Sequence, residues 1–458
     1  MEVVLFMLIS ARYVVPITSP PLKNASIVVE GRDIVAFGPT VKLKRSFPHH
    51  KVLDLGHLIL MPGLLNLHTH LDYTVFKDLI EGLAFTPWIM KLVRLGLRLK
   101  REDWEASALL GALRAIQSGT TTVVDSSRSD SSLKAISHCG LRGIVCGEVF
   151  GLNGRRSSQT VQEALARLLG WRSRANPDLI QVGISPHAPY TVSGQLYQEV
   201  SRRADEYDFP VALHLAESAD EYQFIRHGGG RLARGLMVLA GWSRLSWQPP
   251  AVSPVKYLEQ WGILGKRVLA AHCVYVDDSD LEILHKYDVA IAHCPRSNAQ
   301  LGNGIAPLAE FHQRGLRVGL GTDSLASNYS LDMFDEMRAG LWLQRGMTRQ
   351  VEGLSAETFL RMATIEGARA IGMEDKIGSI AGGKRADLIG VDLSHIPSFS
   401  NLYAALIFNT NPGNVVFSMI NGQIVMEKGQ LKGIDGDEIV KRADRARRKL
   451  TKVRQDNE

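Results

Sequence analysis

Cysteine is scarce: the 458 residues hold four, Cys139, Cys146, Cys273 and Cys294, with no spacing typical of a disulfide framework or a zinc knuckle. That argues against a small disulfide-stapled fold and predicts reduced thiols in a cytoplasmic protein. Long apolar runs are lacking as well. The start, Val3 to Ile9, carries Glu2 in place of a basic leader, is too short to span a bilayer, and continues into Tyr13-Val14-Val15 as a strand. No targeting segment and no membrane span are expected. The net charge is +6, yet the basic residues are dispersed. Their densest run (Lys441, Arg442, Arg445, Arg447, Arg448, Lys449, Lys452, Arg454) is interleaved with acids and holds no aromatic residue. This is the pattern of a solvated helix, not of a nucleic-acid surface. With 45% hydrophobic and 22% charged residues, the composition is that of a globular protein of one large domain plus a smaller one.

The two ends share one texture. Ser26-Ile27-Val28-Val29, the turn Gly31-Arg32-Asp33 and Ile34 to Gly38 read as strands and turns. Lys384 to Val391 and Val415 to Ile420 read as strands too, and Asn421-Gly422 is a hairpin signal before Gln423 to Glu427. Neither end alone has enough strands for a stable sheet. Residues 1–58 plus 376–434 are therefore predicted to form one small β-sandwich domain, with 435–458 as a C-terminal amphipathic helix.

Between them, residues 59–375 alternate short apolar strands with helical stretches such as Trp104–Gln117, Thr160–Trp171 and Ser193–Tyr207. The strands are the segment ending at His70, then Thr120–Asp125, Leu141–Phe150, Ile180–His187, Pro210–Glu217, Val268–Val274, Val289–Cys294 and Val318–Asp323. Eight such units predict an α/β fold, a (β/α)8 TIM barrel, and no Gly-x-Gly-x-x-Gly follows the first strand to suggest a dinucleotide fold.

Chemistry in such barrels sits at the C-terminal strand ends. His68 and His70 lie one residue apart on an extended strand, so they share a face, and two imidazoles there make half of a metal site. The later strands end in His187, His214-Leu215-Ala216-Glu217, His272, His293 and Thr322-Asp323-Ser324. A lone histidine in such a place is more often a hydrogen-bonded structural residue. Six histidines with a glutamate and an aspartate at one barrel mouth predict a metal-dependent active site.

These motifs (Pro62-Gly63-x-x-Asn66-x-His68-x-His70, His214-x-x-Glu217, His272, His293-Cys294-Pro295-x-Ser297-Asn298, Thr322-Asp323-Ser324) resemble the amidohydrolase superfamily, in its branch of ring aminohydrolases. The resemblance covers nearly the whole chain. It implies one divalent ion, zinc or iron(II), held by His68, His70, His214 and Asp323, with His272 contacting the water on that ion. The strand-4 lysine that commonly bridges two ions is absent, in keeping with one metal. Glu148 could offer an oxygen ligand, and a supporting role behind the ligands fits it better. The catalytic set is then Glu217, His272 and Asp323, with Glu217 shuttling a proton from water to the ring.

The loop from Leu71 to Trp88 is similar to that of S-adenosylhomocysteine and methylthioadenosine deaminases, with Thr74, Glu81, Phe85 and Trp88 on matching positions. Lys77 and Leu71-Asp72-Tyr73 depart from that pattern, and Asp72 and Tyr73 lean toward aminodeoxyfutalosine deaminases. The resemblance implies hydrolytic deamination of an adenine-bearing nucleoside, with His187 on the purine, Glu81 on the ribose diol, and Trp88 beside them. Arg155 and Arg156 follow strand 3 and are candidates for a substrate carboxylate. A chlorohydrolase or a guanine or cytosine deaminase is the alternative on the same fold. The expected partner is a small molecule, with no nucleic acid and no membrane; a homo-oligomer stays open.

Overall fold

The computed structural model describes residues 6–242 and 248–451; Val3 to Leu5, and Lys452 and Arg454 of the basic run, lie outside the described residues. Two sheets organise them. One is a mixed sheet of nine strands drawn from both ends of the chain. Its seam is the antiparallel pairing of Ile59–Pro62 with Leu388–Val391, in register from Leu388 opposite Pro62 to Val391 opposite Ile59. Phe6–Val14, Leu22–Glu30 and Asp33–Pro39 extend it on one side; Val415–Ile420, Gln423–Glu427 and Gln430–Leu431 extend it on the other. Ile9, Ile27 and Ile34 from the first limb share one apolar cluster with Leu388, Phe417 and Met419 from the second. The predicted hairpin is present: Asn421 and Gly422 both take positive φ, 51° and 77°, as a tight two-residue turn requires.

The other sheet has eight strands, paired in chain order and all parallel. They are β1 (Leu64–Thr69), β2 (Thr120–Ser127), β3 (Arg142–Val149), β4 (Ile180–Pro186), β5 (Val211–Leu215), β6 (Val268–His272), β7 (Ala290–His293) and β8 (Val318–Leu320). A bridge between Thr69 and Asp323 closes the ring, and the Asp323 N–H donates to the His68 carbonyl at 2.8 Å. Gly63 separates the mixed sheet from the barrel. A Cβ there would stand 2.1 Å from the Thr121 side chain, so only glycine fits at this crossing.

Inside the barrel Leu65, Leu67, Val124, Ile144, Cys146, Ala212, Ala271, Ala290 and Ala292 form one buried cluster. These side chains lie below the mouth, and Val124, Ile144, Cys146 and Ala212 border a second cavity of about 530 Å³. The C-terminal helix, Gly436–Thr451, buries Ile439, Ala443, Ala446 and Leu450 at helical spacing. Two of its basic residues reach the barrel: Lys449 pairs with buried Asp103 at 2.7 Å, and Arg447 donates to the Val75 carbonyl at 3.1 Å.

Candidate metal centre and active-site cavity

Strict alternation along β1 would continue from Leu65 and Leu67 to Thr69 as the inward residues. The pairing of β1 with β2 slips between Asn66 and Thr69, and His68 and His70 turn into the mouth instead. Thr69 faces β2, donating to Asp125 at 2.9 Å. A second break does the same on β6. Ala271 packs in the interior, and His272 is brought to the mouth by a left-handed backbone, φ 76°. Asp323 is also left-handed, φ 60°. Strain at non-glycine residues of this kind concentrates where function needs it.

Three overlapping sets of ligand atoms converge here, each within 4.8 Å: His68, His214 and His272; His68, His70 and Asp323; Glu217, His272 and Asp323. The Nε2 atoms of His70 and His214 are 3.2 Å apart, and Asp323 Oδ1 lies 3.6 Å from His68 Nε2 and 3.7 Å from His70 Nε2. The supporting bonds set which ring atoms are free. His214 Nδ1 donates to the His187 carbonyl at 2.9 Å, and His272 Nδ1 donates to Asn298 Oδ1 at 2.9 Å. Each therefore presents a bare Nε2 to the centre. Asp323 Oδ2 accepts from Ser297 at 2.6 Å and Ser327 at 2.9 Å, leaving Oδ1 near the histidines, where the Ser324 N–H also donates to it.

This donor set fits a divalent ion. The Nε2 atoms of His68 and His272 are buried with no hydrogen-bond partner, a costly state that a cation or its water relieves. Burial, then the neighbouring imidazoles, hold His68 well below the usual histidine range and His214 at about 3, so both offer lone pairs at neutral pH. At Asp323 burial works against ionisation, but His70, His272 and the Ser297 hydroxyl outweigh it and keep the carboxylate low. His70 is pushed down by burial and more strongly up by Glu148, Asp323, Asp125 and Asp72. The acidic surroundings favour a positive charge at this spot.

Glu217 stands beside the cluster, 3.9 Å from His272 Nε2, and accepts from Asn303 at 3.3 Å. Glu221, one helical turn on, takes the backbone N–H groups of Ala216 and Glu217 at 3.0 and 2.8 Å and so fixes where the Glu217 side chain starts. Burial, followed by the charges of Asp323 and Glu221, raises Glu217 well above the usual carboxylate range. A carboxyl that holds its proton more tightly than usual is suited to act as a general acid.

A cavity of about 330 Å³ opens from these residues, bounded by His70, His187, His214, Glu217, Asp323 and the helix Phe85–Gly96. Trp88 lines it and is anchored by its indole N–H on the Ala326 carbonyl at 3.1 Å. His187 lines it too, held through Nδ1 by Thr191 at 2.8 Å. Glu148 is in the wall, 3.9 Å from His70 Nδ1.

Three expected contacts, Glu81, Arg155 and Arg156, are exposed and are not brought to the cavity. Glu81 is exposed, just before Gly82 turns with φ 70°, and its charge is felt by Tyr329. Arg155 is exposed in the turn Gly154–Arg156, which Asn153 caps through the Arg155 N–H. Spacing from His70, or from the end of β3, gave no measure of which way these loop residues point. The sequence reading also missed Arg128, Phe150 and Tyr190, which do line the cavity. Arg128 carries a signal that was available: it continues the inward alternation Val124, Ser126 past the end of β2. His293 is fully buried, and both ring nitrogens lack hydrogen-bond partners among the described residues.

Comparison with known proteins agrees with this geometry. A 5-methylthioadenosine/S-adenosylhomocysteine deaminase of Desulfitobacterium hafniense is 35% identical over 431 residues, spanning 92% of this chain and 94% of that protein. A zinc-bound adenosine deaminase of Xanthomonas campestris superposes with a TM-score of 0.84 at 27% identity, over 98% of this chain and 99% of that one. Helicobacter pylori aminofutalosine deaminase, solved with methylthio-coformycin, shares the fold with a TM-score of 0.80 at 20% identity, over 92% and 100%. The model of the amidohydrolase family matches residues 59–425, and on that match and these motifs the chain belongs to the amidohydrolase family.

Proposed function

We propose that the chain is a zinc-dependent deaminase that hydrolyses the 6-amino group of an adenine-bearing nucleoside and releases ammonia. One observation carries the reading. A buried Glu217 with its pKa pushed up by burial, and an Asp323 held low by neighbouring imidazoles, flank the same group of histidines at the end of a cavity of nucleoside size. The similarity to deaminases of methylthioadenosine and S-adenosylhomocysteine supports the substrate class, and the zinc of the Xanthomonas campestris structure supports the ion.

His68, His70, His214 and Asp323 would hold that ion, which supplies Lewis-acid activation of water at neutral pH. Asp323 accepts a proton from the attacking water as its oxygen bonds to the amidine carbon. Glu217 gives its proton to the adjacent ring nitrogen, so no charge builds on the ring. His272, through its bare Nε2, accepts a hydrogen bond from the water and orients it. Asp323 then protonates the amino group while Glu217 takes the hydroxyl proton; the C–N bond breaks and ammonia leaves. One water is consumed, and both carboxyls return to their starting states. His187 and Trp88 border the ring that this places in the cavity. Four buried, unpaired cysteines fit the cytoplasm as the setting.

The test is ammonia release by the zinc-loaded protein from adenosine, methylthioadenosine and S-adenosylhomocysteine, beside guanine, cytosine and a chlorotriazine. Turnover of the adenine nucleosides is expected. Faster turnover of a free base, or chloride release from the triazine, would overturn the reading.

A further inference from the structure

We propose that Glu336 is a positioning residue that holds the Asp323 carboxylate in place through two serines. Its consequence for turnover rests on the deaminase reading above, and its consequence for the metal centre does not. Glu336 is fully buried and stands outside both the cavity wall and the cluster of ligand atoms. Asp323 Oδ2 takes two hydroxyl protons, from Ser297 at 2.6 Å and from Ser327 at 2.9 Å, while Oδ1 faces His68 and His70. The two hydroxyl oxygens stand 2.9 Å apart because both converge on one acceptor.

Neither serine sits on an element able to hold itself. Ser297 belongs to the six-residue helix Pro295–Gln300, and Ser327 to the four-residue helix Leu325–Asn328. Helices so short do not persist on their own hydrogen bonds and take their position from what they pack against. Glu336 lies in the first turn of a much longer helix, Met333–Thr348. Its Oε1 accepts from the Arg296 backbone N–H at 2.9 Å, and its Oε2 accepts from Asn328 Nδ2 at 2.8 Å. Arg296 precedes Ser297 and Asn328 follows Ser327, so one carboxylate pins the neighbours of both serines. Asn328 gives its other amide proton to the Thr322 carbonyl at 2.5 Å, which ties the residue before Asp323 to the same point. The Arg296 guanidinium braces the two short helices further, donating to the Asn328 carbonyl at 3.0 Å. Burying a carboxylate is costly unless its oxygens are paired, and here both partners stand one residue from a serine that holds Asp323.

Glu336→Gln keeps the shape and one acceptor oxygen but sets an NH2 group against a donor. Asn328 cannot turn to receive it, because the same amide nitrogen serves Thr322. In the zinc-loaded full chain, kcat for ammonia release from methylthioadenosine should fall about 10–100-fold while KM stays within about threefold. Zinc affinity, read by competition with a chromophoric chelator, should weaken by about tenfold or more. Replacing both serines, Ser297→Ala with Ser327→Ala, should do the same. Adding Glu336→Gln to that pair should cost less than about threefold more, since residues acting along one chain of contacts are not additive. Met337→Ala, buried beside Glu336 on the same helix, should lower stability in urea yet leave kcat and zinc affinity within about twofold. If Glu336→Gln does not fold, Asn328→Ala, which removes the strut to Ser327, is read in the same way. Values of kcat and zinc affinity both within about threefold of the parent, or losses that multiply when combined with the serine pair, overturn the inference. Ammonia release from no adenine nucleoside by the unsubstituted chain would overturn the deaminase reading, and the zinc affinities would still decide the role of Glu336.

Discussion

Glu217→Gln is the substitution with the most to say about mechanism. The side chain is 3% exposed, accepts from Asn303 at 3.3 Å and stands 3.9 Å from His272. Glutamine has the same size, and its carbonyl oxygen keeps the Asn303 bond, so no cavity opens. Because burial already disfavours the carboxylate, the amide also removes a buried ionisable group, and folding stability should be equal or higher. Activity should respond very differently. One general acid–base group is typically worth about 10²–10⁴-fold, and in the proposed mechanism Glu217 acts twice in a turnover, so the loss should lie near the upper end, about 5 kcal/mol of transition-state stabilisation. The pH profile adds a second readout. Glu217 starts as an acid with a raised pKa, so kcat/KM should fall as pH rises through that value, and this limb should be missing from the residual activity of the variant. The assay is ammonia release under saturating and limiting substrate, with metal content measured on the same preparations. A loss below tenfold with full metal content would assign the proton transfers to another group.

Chelation should abolish ammonia release, and zinc or iron(II) should restore it at one equivalent per chain; full activity in metal-free protein, or two tight ions per chain, would contradict the site as built. Asn298→Ala should lower kcat by roughly 10-fold or more, the scale seen for groups that orient a site histidine, because His272 loses the partner fixing its tautomer; Asn298→Asp, which keeps an acceptor, should recover part of it. Asp332 caps the helix Met333–Thr348 through the Phe334 N–H, and burial, then Asp335, raises it to about 7. A carboxyl whose folded pKa lies above its unfolded one stabilises below the unfolded value and loses that stability as pH rises through the folded value. Asp332→Asn should therefore gain on the parent chain between pH 5 and 8 by about 3 kcal/mol in urea unfolding, at 1.36 kcal/mol per unit; an unchanged difference would show that Asp332 does not titrate there.

Local pattern made much of this molecule legible. Eight apolar strands alternating with helical segments, and two strand-rich ends too short to fold separately, led to the barrel and the shared mixed sheet. The spacing of His68 and His70 put them on one face, and the polar strand ends converged at one mouth, because parallel strands in a closed ring present all their C-terminal ends together. The hairpin at Asn421-Gly422 followed from backbone chemistry alone.

Which face His68 and His70 share was a matter for the tertiary structure. Leu65 and Leu67 fill the barrel interior, and only the slip in pairing with β2 turns the histidines inward; at His272 a left-handed residue does the same. Such breaks are set by neighbouring strands and by what the interior can hold, and the residues themselves do not announce them. Loop direction was equally hidden. Glu81 and Arg155 stand at plausible separations along the chain yet face solvent, while Arg128, a single step beyond a strand, faces the cavity. A strand carries its side-chain direction forward residue by residue, but a loop takes its direction from whatever it packs against. Sequence alone therefore determined the fold and the residue types of the candidate metal site, and tertiary packing decided which charged groups line the cavity.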